Sequence, residues 1–246
     1  MVTWWNFTHV FVQAAMFTPG HSTFAKSRVV ATILREFGER FSGDMQALPL
    51  PPDASPEIPR VVLKSDDGSQ EVNAAPARLN SVWNRIDADE SLSLHQAVDR
   101  CVEVLEYYVR ESGVRVGRLG LVVHRACPID NPAQTLIQRF CTEESQREPF
   151  DRSAIFEIHN HKEYNPAHEG VDYSINSWVR CRCGRIGPEQ SPAIVVIQDL
   201  NTLADELEQR QYDADESSLF FSMARDEAET ILKKYFPSEN DHASSD

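Results

Sequence analysis

No apolar run in the chain approaches the ~18 residues that a membrane-spanning helix needs. The opening residues, Met1-Val-Thr-Trp-Trp-Asn, lack the basic segment and apolar stretch of a secretory signal, so a cytoplasmic protein is expected. Cysteine is sparse. Cys101, Cys127, Cys141, Cys181 and Cys183 are an odd number without framework spacing. In a reducing compartment they are free thiols that pack as small apolar groups. Glycine is sparse too: ten residues, scattered along the chain, form no phosphate-cradling loop. There is no G-x-S-x-G nucleophile elbow, no H-E-x-x-H and no D-x-D-x-D-G calcium loop. These absences argue against nucleotide-loop, serine-hydrolase, zincin and EF-hand chemistry, and no cofactor is expected.

What remains is an ordinary globular composition, 41% hydrophobic and 25% charged. The charge is unevenly spread. Residues 1–126 carry 13 Lys/Arg and 15 Asp/Glu, a net −2, whereas residues 127–246 carry 11 and 23, a net −12. The acidic half would repel a phosphate backbone, so nucleic acid is not expected to bind there. A protein partner with a basic surface fits the same charge.

Residues 9–17 (HVFVQAAMF) read as a strand. Residues 23–41 place Val29, Val30, Ile33, Leu34 and Phe37 at helical spacing, with Ser22 or Thr23 as the cap. Residues 46–58 are proline-rich and hold no regular element. Residues 60–64 lead through Ser65-Asp-Asp-Gly68 into a second arm toward Trp83 and Ile86, a hairpin signal. Residues 93–112 are the clearest helix. Leu94, Val98, Cys101, Leu105 and Tyr108 share a face, Ser93 and Gln96 match a capping box, and Gly113 stands at the stop. Residues 118–126 form an apolar, β-branched strand. A helix over 131–141 follows, then strands over 153–162, 174–186 and 193–200, and a helix over about 215–236 that Pro237 ends. Strand, helix, strand, strand, helix, strand is the order of the ferredoxin-like split βαβ unit. The expectation is an α+β protein of two such lobes with mainly antiparallel sheets. The lobes span residues 1–126 and 127–237, and a disordered tail spans 238–246.

The most chemical-looking cluster is His159-Asn160-His161 with Cys181-Arg182-Cys183. H-x-H and C-x-C on neighbouring strands offer four zinc-type ligands. Residues i and i+2 of a strand share a face. If Phe156 and Ile158 share the core face with Val179, Cys181 and Cys183, then His159 and His161 lie opposite with Glu157. Convergence requires the other register, pairing 161 with 181 and 159 with 183. The favoured expectation is core cysteines and surface histidines. A ββα-metal nuclease is excluded because its ligands are spread over a hairpin and a helix. His124 reads as an edge histidine closing a strand rather than a general base. Asp199, beside Asn201-Thr202, reads as a turn cap.

Three further stretches carry a resemblance: Arg78-Leu-Asn-Ser-Val-Trp83 before the helix ending Leu105-Glu-Tyr-Tyr108; Arg118-Leu-Gly-Leu-Val-Val123; and Ile194-Val-Val-Ile-Gln-Asp-Leu200 before the acidic linker and terminal helix. In these the chain resembles a sporadically distributed family of bacterial proteins of unknown function. The family's strand usually continues into an Arg-Tyr-x-Asn-like segment, where this chain has His124-Arg-Ala-Cys127. The family has no established catalytic residues to carry over. Its patchy distribution implies a component of a defence or toxin–antitoxin system. The leading expectation is therefore a non-enzymatic protein that holds a partner. Its docking stretch would be the acidic segment with Asp205, Glu206, Glu208, Asp213, Asp215 and Glu216, which would speed encounter with a basic surface. The alternatives are a small-molecule or peptide sensor with a cleft between the lobes, and a zinc-dependent enzyme using His159, His161, Cys181 and Cys183.

Overall fold

The computed structural model describes residues 2–19, 24–51, 53–86 and 92–238. The expected helix cap at Ser22 or Thr23, and the tail beyond Ser238, lie outside these residues. In chain order the elements are β1 (Thr8–Phe17), α1 (Lys26–Phe37), β2 (Met45–Ala47), β3 (Val61–Lys64), β4 (Gln70–Ala75), β5 (Arg78–Asn84), α2 (Leu94–Ser112) and β6 (Arg118–Pro128). There follow α3 (Pro132–Phe140), α4 (Glu143–Arg147), β7 (Glu157–Tyr164), β8 (Ala167–His168), β9 (Val171–Asp172), β10 (Ile175–Ile186), β11 (Ser191–Thr202) and α5 (Ala214–Tyr235). Among the described residues, no helix is long and apolar enough to cross a membrane.

Nine strands make one antiparallel sheet in the order β2-β3-β4-β5-β1-β6-β11-β10-β7; β8 and β9 pair apart. The protein is α+β with a mainly antiparallel sheet, as the sequence implied. The ferredoxin-like lobes are corrected. The arm beginning at Gln70 is itself a hairpin, with β4 and β5 paired so that Ala75 faces Arg78 across Pro76-Ala77. That turn sends β5 back antiparallel to β1, with Val12 opposite Trp83. In a split βαβ unit a single strand separates the first strand from the one after the helix, and those two run parallel; here two strands, β4 and β5, separate β1 from β3, which therefore runs antiparallel to β1. Each half instead runs strand, helix, three antiparallel strands, helix. The first is β1, α1, β3, β4, β5, α2; the second is β6, α3, β7, β10, β11, α5. Strand order repeats as well, β1-β5-β4-β3 against β6-β11-β10-β7, and the halves join where β1 pairs with β6. Strand β6, counted with the N-terminal lobe in the sequence, thus opens the second repeat.

The longer helices that pack on the sheet lie on one face. Alternation sends Val12, Ala14, Met16, Leu121, Val123, Ile194, Val196, Leu200, Val179 and Cys181 to that face, and all are buried. Helix α2 covers β1 and β5, α5 covers β6 and β11, and α2 packs on α5. Helix α2 is built as its sequence reads. Ser93 Oγ accepts from the Gln96 amide, the Gln96 side chain accepts from the Ser93 amide, and Gly113 closes the helix at φ 65°. Leu105 is fully buried on its stripe. Beneath α5 the buried Arg125 donates to Gln198 Oε1 at 3.0 Å and to Glu229 at 3.1 Å, while Gln198 Nε2 donates to the Ala228 carbonyl at 2.6 Å. A buried guanidinium needs such partners, and here they fasten α5 to the sheet.

Candidate functional site

The register of β7 on β10 decides the His/Cys cluster. His161 faces Trp178, His159 faces Arg180, and Ile158 faces Cys181. His159 and His161 therefore stand on the face away from the helices, and Cys181 and Cys183 on the helix face. The four do not converge, and the register that a zinc site needed, 161 with 181, is not the one formed. Burial pushes the Cys181 thiol up to about 12. Cys183 Sγ exchanges 3.5 Å hydrogen bonds with the backbone of Phe156. Among the described residues, no group of three or more His, Cys, Asp or Glu is placed to hold a metal ion.

Two single-residue readings are also corrected. Strand β6 runs on to Pro128 between β1 and β11, so His124 is central in the sheet rather than at an edge. Burial, and then the nearby Arg182, hold its pKa below the usual histidine value. Asp199 is not a turn cap, because β11 continues to Thr202. It accepts from Asn201 Nδ2. Burial raises its pKa against the opposing pull of Asn201 and Arg118. Gly120 leaves room for this contact: a Cβ there would come within 2.3 Å of Asn201 Oδ1, so the Asn201 side chain would have to shift.

These residues belong to the sheet face that the longer helices leave open. In an antiparallel sheet with one free face, outward positions are ordinarily polar. Here they are not. One cross-strand row reads Phe11, His124, Ile197, Arg180 and His159; the next reads Gln13, Val122, Asp199, Trp178 and His161. Phe11, Val122, Ile197 and Trp178 are diagonal neighbours across these two rows, a spacing that aromatic and long side chains span, so they make an apolar zigzag between the polar positions, with Trp178 43% exposed. Aromatic contacts order it. The rings of Phe11 and His124 lie 4.6 Å apart, and His161 stacks on Trp178 at 4.2 Å. Phe17 lies under the guanidiniums of Arg118 and Arg78, at 4.6 and 5.7 Å. Glu157, His159 and Arg180 form a rim triad; hydrogen bonding from His159 and the charge of Arg180 hold the Glu157 carboxyl below its usual range. The chain carries a net −14 overall, yet this face groups Arg78, Arg118, Arg180 and Arg182.

The acidic segment is more structural than its composition suggests. Asp213 caps α5 in a capping box with Glu216, and the Glu216 carbonyl accepts from the Tyr173 hydroxyl at 2.7 Å. Arg115 holds the carbonyls of Glu208 and Arg210 at 2.8 and 2.7 Å. The linker lies so close to β6 that a Cβ on Gly117 would meet the Leu207 carbonyl oxygen at 1.9 Å. Glu206 and Glu216 are half-buried, while Asp205, Glu208, Asp213 and Asp215 are exposed.

No family model and no curated protein matches the chain. Among solved structures it is similar to the crystal structure of the di-domain ARO/CYC StfQ from the steffimycin biosynthetic pathway. Identity is 10%, coverage is 95% of this chain and 99% of that one, and the TM-score is 0.19. A likeness at that level carries no argument about fold or function.

Proposed function

We propose that the protein works by holding a protein partner, in keeping with a component of a bacterial defence or toxin–antitoxin system, and that the partner seats on the open face of the sheet. The observation that carries this is the outward diagonal of Phe11, Val122, Ile197 and Trp178 in β1, β6, β11 and β10. A contiguous outward apolar patch rimmed by charge marks an interaction surface, and aromatic and arginine side chains are the usual anchors of such surfaces. The face replaces residues 205–216 as the docking site, since Asp213 and Glu216 are occupied in capping α5. The zinc-enzyme reading has lost its geometry. The sensor reading has lost its inter-lobe cleft, because the halves meet as the hydrogen-bonded strands β1 and β6.

The test is a differential pull-down of the tagged full chain from its native host, wild type against Trp178→Ala and Ile197→Ser. A protein recovered by wild type and lost by both variants, with their melting temperatures kept, supports the face. Equal recovery by all three overturns it.

A further inference from the structure

On the helix side of the sheet, at its far edge, lies a cleft of about 440 Å³ between β7, β10 and the C-terminal half of α5. It lies on the opposite side of the sheet from the open face, although His159 of that face also borders it at the edge strand. Strand β7 ends the sheet, so its helix-facing side chains have a strand neighbour on one side only. Helix α3 packs over β10 and β11, and its last residue, Phe140, reaches the cleft. The floor is apolar, from Ile158, Val179 and Ile231.

The polar groups around that floor are not all used. Asn160 Nδ2 donates to the Tyr235 hydroxyl at 2.7 Å, which leaves that hydroxyl's own proton to donate. The Tyr164 hydroxyl is buried and makes no hydrogen bond of good geometry, with Ser177 and Glu227 as its polar neighbours. Burial raises both phenols, Tyr164 to about 12, so both remain donors near neutral pH. Exposed Lys162 and Lys234 stand on the lining, and among the described residues neither enters an ion pair. A buried hydroxyl without a hydrogen bond of good geometry, beside two ammonium groups outside any ion pair and an apolar floor with aromatic walls, fits a small-ligand site.

We infer that this cleft binds a small aryl carboxylic acid, its ring on Ile158, Val179 and Ile231 beside Phe140, and its carboxylate toward Lys162, Lys234 and the tyrosine hydroxyls. The lining is the argument for an anion. Glu227 is its one carboxylate against two ammonium groups, in a chain that is otherwise strongly acidic. A neutral ligand of the same shape would leave the lysines without a counter-charge, and a cation would meet both of them.

Isothermal titration calorimetry on the full chain tests this with indole-3-acetate, 3-phenylpropionate and 1-naphthoate, each against its primary amide. At least one acid binds with a Kd below ~1 mM and about tenfold or more tighter than its amide. The Lys162→Ala/Lys234→Ala variant, substituted on the surface and folded by circular dichroism, loses that preference while still binding the amide. Tyr164→Phe weakens acid and amide alike. Equal affinity for acid and amide, an unchanged preference in the double lysine variant, or no binding of any probe at 10-fold the ~1 mM limit would each overturn the assignment. The open face enters none of these readouts, so the partner proposal stands or falls separately.

Discussion

The two repeats share one order of elements and are finished differently. In the first, the 12-residue α1 packs over β3, and the short strand β2 covers the edge of β3. In the second, the nine-residue α3 packs over β10 and β11, and β7 is left as the last strand. The first repeat therefore spends its apolar surface on a closed core, where Val61, Leu63, Val72 and Ala74 are all buried. The corresponding layer of the second repeat opens into a cleft with half-buried Ile158, Asn160 and Tyr164. One topology holds a cavity of about 260 Å³ in the first half and a larger one of about 440 Å³ in the second. The structural contrast between the halves follows from where a helix stops, not from a different fold.

The largest expected effect tests that contrast directly. Leu105→Ala should cost about 2–5 kcal/mol, because fully buried Leu105 leaves a cavity that nothing fills. Ile231→Ala should cost about 2 kcal/mol or less, since its side chain borders an existing cleft into which the space merges. Urea denaturation of both variants measures the pair; equal losses would break the comparison.

A second test addresses the junction of the halves. His9 of β1 lies near Arg125 of β6 and Glu229 of α5. Burial, then Arg125 and Arg85, lower its pKa to about 4, with Glu229 opposing. In the unfolded chain it titrates near 6.5. Between these values the unfolded state holds a proton that the folded state does not, so the contribution is full above pH 6.5 and is lost as pH falls toward 4. Stability measured across that window should decline toward acid, and His9→Gln should flatten the decline. Third, Ser93→Ala and Asp213→Ala should each cost about 1 kcal/mol, since each removes one member of a capping box. A negligible loss for Asp213 would return that residue to the docking reading. The smallest effect is on the open face: Trp178→Ala should change stability by less than about 0.5 kcal/mol, with partner recovery as its readout. A large loss there would mean that the face is a packed core.

Much of this was legible in the sequence where the signal is local. Helices α2 and α5 announced themselves by 3.6-residue spacing, capping residues and stops. The opposite orientation of His159 and Cys181 was the favoured expectation, from period-two alternation with Ile158 and Cys181 both set on the core face, and the register of β7 on β10 decided it. What failed was non-local or unsigned. The β4–β5 turn is Pro76-Ala77, with no Gly, Asn or Asp to mark it, and missing it converted an antiparallel meander into a split βαβ unit. His124 and Asp199 were placed at strand ends because their strands continue through Pro128 and Asn201, residues with weak strand preference. Neither the open face nor the cleft was readable, because both depend on which strands become neighbours and how far α3 reaches.

The pairing of β1 with β6 has a consequence for the chain's own continuity. Nine residue pairs, from Thr8 with Ala126 to Phe17 with Arg118, tie the halves together, and α2 packs against α5 above them. The covalent link between the repeats is the short stretch from Gly113 to Gly117. A polypeptide severed there and produced as two fragments should reassemble by complementation, each fragment supplying the edge that the other lacks, and the two should co-purify as a stoichiometric pair.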